Sequence, residues 1–501
     1  MKHATRIIIA LLILAMTLPM ALSCAETGTP GETTEAASTN APSDSGVVVE
    51  TTAEDTLFAP SDIPEDLKFD GTNVSILYWS DVPNVEFFVE DLNGESVNDA
   101  IYRRNAKVQE QFGVTLNFTG TPGNYNNQSA FVNACINSTQ AGADAYDLFC
   151  GYTMTGATLM TQGVTQDLTS YDIMEFDKPW WPKSLISKAT VNGGIYFASG
   201  DISTNFIHMM YLTIFNKDML KDLHNIDAKE LYDLAYDGQW TLDKFIELTN
   251  GVYLDQDGDS VASEGDRFGV VVTQVHFDPF YAGSDLTTVD VNADGELVLS
   301  ADLFSQKTVD LLEKLCDLLH VSGNAYIKKS EPLFAAGQAL LIVDRPYVIS
   351  RSFTNTSFSF GILPIPKYDA NQEEYRTCLG FGYTMYMLSS AAPNAEAAAA
   401  TLELMAYQSY LNVTPALFEE SMKLRYADQS DDAFMFDIIR NSVDIDVARL
   451  FTKQLENMSY SIFRSAVNGN AAGSYISQQK VYEKSLNKKI IDINEILKNL
   501  K

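Results

Sequence analysis

Residues 73–119 contain the stretch that decides the fold. It begins with the β-rich run NVSILYW (73–79), continues through SVNDAIYRRNAKVQEQF (96–112) and ends with VTLNFT (114–119). Apolar residues recur in the middle segment at the spacing of an amphipathic helix, and Gly113 follows it as a C-cap. A strand, a helix and a second strand in this order predict a βαβ unit with parallel strands, which is typical of an α/β protein.

The same alternation continues along the rest of the chain. Further strands are predicted at 147–152, 194–198, 211–216, 268–273, 339–343, 360–365 and 383–388, and helices at 128–139, 241–249, 308–319, 394–408 and 478–501. A length of 501 residues is more than one compact domain usually holds. The sequence therefore predicts an α/β fold with more than one domain.

The chain is strongly acidic. It has 34 Lys and Arg against 66 Asp and Glu, which gives a formal net charge of −32. Nucleic acids and anionic lipid surfaces are bound through clusters of basic residues, so this balance argues against both as partners. Hydrophobic residues make up 46% of the chain, which is typical of a globular protein with a sizeable core.

The first residues are typical of a secretion signal. Lys2 and Arg6 precede an uncharged, mostly apolar run at 7–18, which is too short to span a bilayer reliably. Ser23 then precedes Cys24, and this arrangement resembles the bacterial lipoprotein box. The resemblance implies that Cys24 carries a lipid, that the peptide before it is removed, and that acyl chains anchor the protein. Plain secretion with an unmodified cysteine is the alternative.

The segment after Cys24 has the composition of a tether. Residues 25–62 are rich in Thr, Ser, Ala, Pro and Glu, and they include eight acidic residues and no Lys or Arg. Such a segment cannot bury enough apolar surface to offset its chain entropy, so we expect it to be disordered.

Four further cysteines lie within apolar segments and form no CxxC pattern. We expect buried free thiols, and one disulfide is the alternative for a protein outside the cell. These residues are Cys135, Cys150, Cys316 and Cys378.

No motif in the chain indicates catalysis. The five His residues form neither HExxH nor HxH, no GxSxG pattern occurs, and the Gly-Lys pair of a phosphate-binding loop is absent. We therefore predict no catalytic residue and no required cofactor. A glycosidase carboxylate pair stays an alternative, because sequence does not give the separation of roughly 5–10 Å that such a pair needs.

The acidic stretch DQDGDSVASEGD (255–266) is more specific. Counting Asp255 as position 1, Asp257, Asp259 and Asp266 fall at positions 3, 5 and 12, where carboxylates can converge on one hard cation. The stretch resembles an EF-hand or dockerin-type calcium loop, although Ser260 stands where glycine is usual. The hypothesis is a structural calcium site, and a solvated acidic turn is the alternative.

Aromatic residues are the other candidates for a binding site. Trp79 and Tyr152 end predicted strands, and ligands of open α/β sheets lie beyond the carboxyl ends of strands. Trp180 and Trp181 lie in an irregular stretch. Their flat faces can stack on sugars, while packing in the core is the alternative for each Trp.

Several stretches, taken in order, resemble one known family. That family is the extracellular solute-binding proteins (family 1) of ABC importers, of carbohydrate type, as found in Gram-positive bacteria. The stretches are KPWW (178–181), NGGIYFASGDIS (192–203), LTIFNKDML (212–220), YDGQWTLDKF (236–245), DQDGDSVASEGDRFG (255–269), PLFAAGQALLIVDRPY (332–347), FGILPIPKYDANQEEY (360–375) and the helix after APNAEAAAA (392–400).

The resemblance implies a two-lobe, periplasmic-binding-protein-like fold of type II. The solute would lie in a central cleft between lobes that are joined by chain crossings. The division expected is a signal peptide at 1–23, a lipidated cysteine and disordered acidic tether at 24–65, a first lobe at 66–210 plus 380–430, and a second lobe at 211–379 plus 431–501.

The resemblance also adds site residues. The stretch VDRPY is similar to the segment at a strand end that, in this family, places an aromatic residue in the cleft. Here that residue is Tyr347, where Trp is more usual. Arg345 would lie beside it, and Asp201 near a crossing is a further candidate. An ordinary strand-end surface is the alternative for Asp344 and Arg345.

By this resemblance the protein is a receptor, not an enzyme. It would be a lipid-anchored monomer on the outer face of the cytoplasmic membrane of a Gram-positive bacterium, capturing a carbohydrate, in our expectation an oligosaccharide, by lobe closure. It would deliver that solute to the transmembrane subunits of an ABC permease. The alternatives are a surface glycan hydrolase and a calcium-dependent structural or adhesive surface protein.

Overall fold

The computed structural model describes residues 59–142, 145–423 and 430–500. The predicted signal peptide, Cys24 and most of the predicted tether lie outside the described residues. The predicted βαβ unit is present, and helix Ser96–Phe112 connects its two parallel strands. Gly113 ends this helix at φ 66°, in the left-handed region that glycine adopts without steric cost.

Most strands of the described residues are short. In chain order they are β1 (Asn73–Trp79), β2 (Thr115–Thr121), β3 (Leu148–Tyr152), β4 (Thr190–Val191), β5 (Gly194–Ile195), β6 (Leu212–Asn216), β7 (Phe268–Val271), β8 (Val289–Val291), β9 (Leu297–Leu299), β10 (Ala325–Tyr326), β11 (Ala339–Asp344), β12 (Phe360–Leu363) and β13 (Thr384–Leu388).

Helices occupy a large share of the remaining described chain. They are Ser96–Phe112, Gln128–Ala141, Thr155–Thr161, Lys183–Ala189, Thr204–His208, Lys217–His224, Ala228–Tyr236, Leu242–Thr249, Asp278–Gly283, Gln306–Cys316, Glu331–Ala335, Tyr347–Ser352, Ala395–Gln408, Thr414–Lys423, Ser430–Asn441, Val447–Leu450, Met458–Asn468 and Gln479–Leu497.

Two predicted elements differ from the structure in kind or most of their length, while others differ only at their ends. The helix expected at 308–319 is an α-helix only to Cys316 and then widens into a π-turn at Asp317–Val321. The strand expected at 194–198 shrinks to β5, because it pairs with β4 in a two-residue hairpin. The cysteines of the described chain are buried and free, which matches the expectation of unpaired thiols.

The first sheet grows out of the βαβ unit. Its order is β13-β3-β1-β2, with β1, β2 and β3 parallel and β13 antiparallel to β3. Every residue of β3 and β13 is buried, because helices Thr155–Thr161 and Ala395–Gln408 pack against these strands.

The second sheet is built from the middle of the chain. Its order is β10-β7-β11-β6-β12, and β6 runs antiparallel to both of its neighbours. Strand β11 (ALLIVD) is buried along its whole length, as its continuous apolar run predicts for a central strand. Each sheet, with the helices packed on it, forms a lobe, so the predicted two-lobe α/β fold is confirmed.

The lobes are joined where two crossing segments pair. The chain leaves the first lobe at 209–211 and returns at 378–380. The Tyr211 N–H donates to the Cys378 carbonyl at 3.0 Å, and the Gly380 N–H donates to the Met209 carbonyl at 2.8 Å. These two bonds form a short antiparallel contact, which we call the crossing.

The C-terminal region packs mainly on the second lobe. Helix Ser430–Asn441 lies against β12, helix Met458–Asn468 against Asp278–Gly283, and helix Gln479–Leu497 against β9. The residue boundaries proposed for the two lobes stay a prediction.

The last helix touches both lobes. Besides lying against β9, it accepts a hydrogen bond from the first lobe, where the Asn192 side-chain amide donates to the Leu497 carbonyl at 2.7 Å. Its apolar residues fall on one face, as the sequence spacing predicts. The buried ones are Leu486, Ile490, Ile493 and Leu497.

Two neighbouring isoleucines of this helix give a matched stability test. Ile490 is 4% exposed and Ile491 is 57% exposed. We expect Ile490→Ala to lower the free energy of unfolding by about 2–4 kcal/mol, because it leaves a cavity in the core. We expect Ile491→Ala to change it by less than about 0.5 kcal/mol. Urea denaturation followed by circular dichroism measures both, and equal effects would contradict the assigned helix face.

Candidate functional site

A cavity of about 490 Å³ lies where the two lobes meet beside the crossing. This volume is within the usual range for small-molecule sites. Six of its lining residues are aromatic and four are arginines, while none of these described residues carries a carboxylate. The residues that line this cleft cavity are Pro83, Tyr125, Tyr152, Met154, Met209, Tyr211, Val275, Arg345, Tyr347, Arg351, Gly380, Phe381, Gly382, Arg449, Tyr460 and Arg464.

Three of the predicted ligand-binding residues meet in the cleft cavity. Tyr152 ends β3 of the first lobe, while Arg345 and Tyr347 follow β11 of the second. The carboxyl ends of β3 and β11 both point at the interface between the lobes, so the side chains that follow these strands meet in the cavity. Ligands of open α/β sheets bind at such strand ends. Contact of these three residues with a solute stays a prediction.

Arg345 is held in place before any solute arrives. Asp344 accepts hydrogen bonds from the backbone N–H of Arg345 at 2.9 Å and from its Nε at 3.1 Å. Arg345 Nη2 donates to the Tyr347 hydroxyl at 3.2 Å, and the Arg345 guanidinium lies over the rings of Tyr211 and Tyr347. Burial raises the pKa of Asp344, and the Arg345 charge offsets part of that rise.

His276 adds no charge to this wall. Its Nε2 lies 3.4 Å from Asp344 Oδ2, and its Nδ1 accepts a hydrogen bond from the Thr273 N–H. Burial lowers the pKa of His276 to about 3, so the imidazole is neutral at physiological pH.

A second charged group lies at the cavity, where Arg449 and Arg464 line the wall and Asp278 pairs with both. Asp278 accepts from Arg449 Nη1 at 2.8 Å, from Arg464 Nη2 at 2.6 Å and from Arg464 Nε. Burial alone would raise the pKa of Asp278, but the two guanidiniums, Arg464 first, hold it below its ordinary value. Arg449 lies over the Phe381 ring at 4.1 Å, and Arg464 lies over the Tyr460 ring at 4.1 Å.

The structure places the three predicted tryptophans in the core, away from the cleft cavity. Trp79 donates from Nε1 to the Thr384 hydroxyl at 2.8 Å and is 1% exposed. Trp180 and Trp181 are fully buried, and both donate from Nε1 to the carboxylate of Glu403, at 2.5 and 3.0 Å. Their indoles serve as packing here, with their polar atoms already bonded inside the protein.

Asp201 also lies apart from the cleft cavity. Its carboxylate accepts from Arg440 Nη2 at 2.6 Å, and both residues line a separate hollow that Trp181 also borders. Burial raises the pKa of Asp201, against the opposing effect of Arg440. This ion pair connects the first lobe to helix Ser430–Asn441.

The acidic loop brings together three of its four predicted metal ligands. Carboxylate oxygens of Asp255, Asp257 and Asp259 lie within 4.8 Å of one another. Ser260 adopts φ 64°, the left-handed conformation that favours the glycine usual at this position. Asp266 is not part of this group. It is fully buried, and its carboxylate accepts the backbone N–H groups of Gln256 and Ser263.

Sequence reasoning missed seven residues of the cleft cavity that carry charged or aromatic side chains. They are Tyr125, Tyr211, Arg351, Phe381, Arg449, Tyr460 and Arg464. One local signal was available in the GFG stretch at 380–382. A Cβ on Gly380 would lie 3.2 Å from Arg345 Cδ, and one on Gly382 would lie 3.2 Å from Met209 Sδ. The glycines therefore mark a close approach of the crossing to the cavity wall.

Solved structures share this two-lobe binding-protein fold at low sequence identity. UgpB from Mycobacterium tuberculosis, in complex with glycerophosphocholine, matches with a TM-score of 0.56 and 14% identity over 84% of this chain and 100% of that chain. The cyclic alpha-maltosyl-1,6-maltose binding protein from Arthrobacter globiformis matches with a TM-score of 0.53 and 13% identity, over 86% of this chain and 100% of that chain. The maltose-maltodextrin binding protein of Alicyclobacillus acidocaldarius matches with a TM-score of 0.53 and 13% identity, over 83% of this chain and 100% of that chain.

The family model described as bacterial extracellular solute-binding protein matches residues 95–407. The chain belongs to this family of bacterial extracellular solute-binding proteins. No curated protein matches the chain. Within the described residues, no helix has the length and apolar character needed to cross a membrane.

Glu403, which accepts hydrogen bonds from Trp180 and Trp181, makes the stability of the fold depend on pH. Burial raises the pKa of Glu403 to about 7, which is above its ordinary value, so the folded state favours the protonated form. This contribution is fully present below about pH 4.5 and is lost as the pH rises through about 7, for a total of about 3 kcal/mol. The variant Glu403→Gln should lose this dependence.

The measurement is the free energy of unfolding of both proteins between pH 4.5 and 8. The difference between wild type and Glu403→Gln should move in favour of the variant as the pH rises. A difference that stays constant with pH would contradict the assignment of a raised pKa to Glu403.

Proposed function

We propose that the protein is the receptor of an ABC importer that captures a carbohydrate in the cleft cavity. The observation that carries this proposal is that aromatic and polar side chains from both lobes surround one cavity beside the crossing. Closure of the lobes would bring Tyr152 of the first lobe toward Tyr347 of the second. Such closure links binding to a shape that a permease can recognise.

The chemistry of the wall supports a sugar ligand. Tyrosine rings offer flat faces to sugar C–H groups and hydroxyls to sugar oxygens, and Tyr125, Tyr152, Tyr347 and Tyr460 all line the cavity. Two of the proteins with this fold are named for binding maltose-type oligosaccharides. An oligosaccharide is therefore the proposed solute, and Tyr152, Arg345 and Tyr347 are the proposed contacts.

The sequence at the start of the chain supports a location for the receptor. A lipid on Cys24 followed by an acidic tether would hold the lobes outside the cytoplasmic membrane, as in a Gram-positive bacterium. The partners would be the transmembrane subunits of the permease, and the receptor would act as a monomer.

A structural calcium ion at the acidic loop is the second part of the proposal. The convergence of Asp255, Asp257 and Asp259 supports it, since carboxylate oxygens are the ligands that Ca²⁺ prefers. The ion would stabilise the loop between helix Leu242–Thr249 and β7, away from the cleft cavity.

Sugar binding can be measured by isothermal titration calorimetry with a panel of oligosaccharides. The best ligand should bind Tyr347→Ala about tenfold more weakly than wild type, because a stacking face is lost. Tyr102→Ala is the matched control, since Tyr102 is exposed on helix Ser96–Phe112 and should bind unchanged. Trp181→Phe should also bind unchanged while unfolding at a lower temperature.

Two outcomes would contradict the receptor. If no member of the panel binds, the carbohydrate assignment fails. If the sugar recovered from the calorimeter after the titration has new reducing ends, the protein is a hydrolase and the receptor assignment fails.

Calcium binding can be measured as a shift of the melting temperature. Added Ca²⁺ should raise the melting temperature of wild type but not that of the double variant Asp257→Asn and Asp259→Asn, because two carboxylate ligands are lost. Asp294→Asn, in the turn between β8 and β9, is the control and should respond like wild type. An equal shift in all three proteins would mean that the loop does not bind the ion.

A further inference from the structure

Arginine is concentrated in the cleft cavity against the trend of the whole chain. The protein has a net charge of −32 and 11 arginines, and four of these line one cavity. They come from separate parts of the chain: Arg345 and Arg351 follow β11, while Arg449 and Arg464 belong to the C-terminal region. Such a cluster raises the question of whether the wall of the cavity carries a net positive charge.

The carboxylates behind these arginines do not balance them. Asp344 pairs with Arg345, and Glu331 lies 3.8 Å from Arg351. A single carboxylate, Asp278, serves both Arg449 and Arg464. Four guanidinium groups are therefore paired with three carboxylates, and because His276 is neutral these paired groups carry one net positive charge.

This excess charge sits on the pair Arg449 and Arg464. The two side chains are only 11% and 17% exposed, and a charge removed from water is costly unless it is paired. Within the described part of the chain, Arg464 Nη1 has no hydrogen-bond partner, although Arg464 lines the cavity. The wall thus offers an excess positive charge and one N–H donor that no described group of the protein meets.

Both guanidiniums are also fixed in position. Arg449 is held by Asp278 and by the Leu379 carbonyl, to which its Nη2 donates at 2.8 Å. The rings beneath Arg449 and Arg464, Phe381 and Tyr460, lie 5.5 Å apart and limit the remaining motion. A ligand that binds here does not bear the entropy cost of ordering them.

We infer that the solute carries an anionic group, a carboxylate or a phosphate ester, which binds at Arg449 and Arg464. The inference rests on the proposed function, because it names the chemical class of the sugar in the same cavity. The aromatic residues would hold the sugar rings, and the arginine pair would select the acidic sugar over its neutral counterpart through charge-assisted hydrogen bonds.

The first experiment tests the anion site without knowing the sugar. The melting temperature of the full chain is measured in sodium phosphate and in sodium chloride at equal ionic strength. Phosphate should raise it for wild type and for Arg103→Gln, whose arginine is 68% exposed on helix Ser96–Phe112. The rise should be lost in Arg464→Gln and partly kept in Arg464→Lys. An equal rise in wild type and Arg464→Gln would overturn the inference.

The second experiment uses matched sugars on the unmodified chain, so it does not depend on a variant that folds. Calorimetry compares galacturonic acid oligomers with galactose oligomers, and glucose 6-phosphate with glucose. We expect at least one acidic member to bind about tenfold more tightly than its neutral counterpart, with an affinity that falls as salt is added.

The outcomes separate this inference from the function beneath it. Neutral sugars that bind as tightly as their acidic counterparts would overturn the inference and leave the carbohydrate receptor intact. A protein that binds none of these sugars and no member of the oligosaccharide panel would overturn both. Preference for the uronic acid or for the phosphate identifies the anionic group.

Discussion

The structure depends on the short antiparallel contact at the crossing. Two backbone hydrogen bonds join Tyr211 to Cys378 and Gly380 to Met209, and Arg449 adds a third bond to the Leu379 carbonyl. Met209, Tyr211 and Gly380 also line the cleft cavity. The residues that join the lobes therefore also shape the site, so a change at the crossing alters the lobe connection and the binding wall together.

The elements that the sequence predicts well are those with local causes. The bounds Asn73–Trp79 and Ser96–Phe112 agree with the prediction, because periodicity and a glycine C-cap act within one segment. The burial of Trp180 and Trp181 has a distant cause, since the acceptor that satisfies both indoles is Glu403 on a helix far along the chain. A sequence shows that these residues are aromatic but not which partner covers them.

The site shows the same division. Arg345 and Tyr347 could be named because one strand end carries both, whereas Arg449 and Arg464 lie on separate C-terminal helices with no motif around them. Net charge was equally uninformative about the cavity. A value of −32 averages the whole chain, while the wall beside Asp278 is locally positive. Only the folded arrangement separates the acidic exterior from the basic interior of the cleft.

The last helix has a mechanical consequence. It lies along β9 in one lobe and is tied to the Asn192 turn of the other through the Leu497 carbonyl. The helix is therefore packed along its side on one lobe and hydrogen-bonded at its C-terminal end to the other. Any rotation of the lobes about the crossing would have to carry that end of the helix along or break the hydrogen bond from Asn192, so the helix couples the two lobes outside the crossing as well.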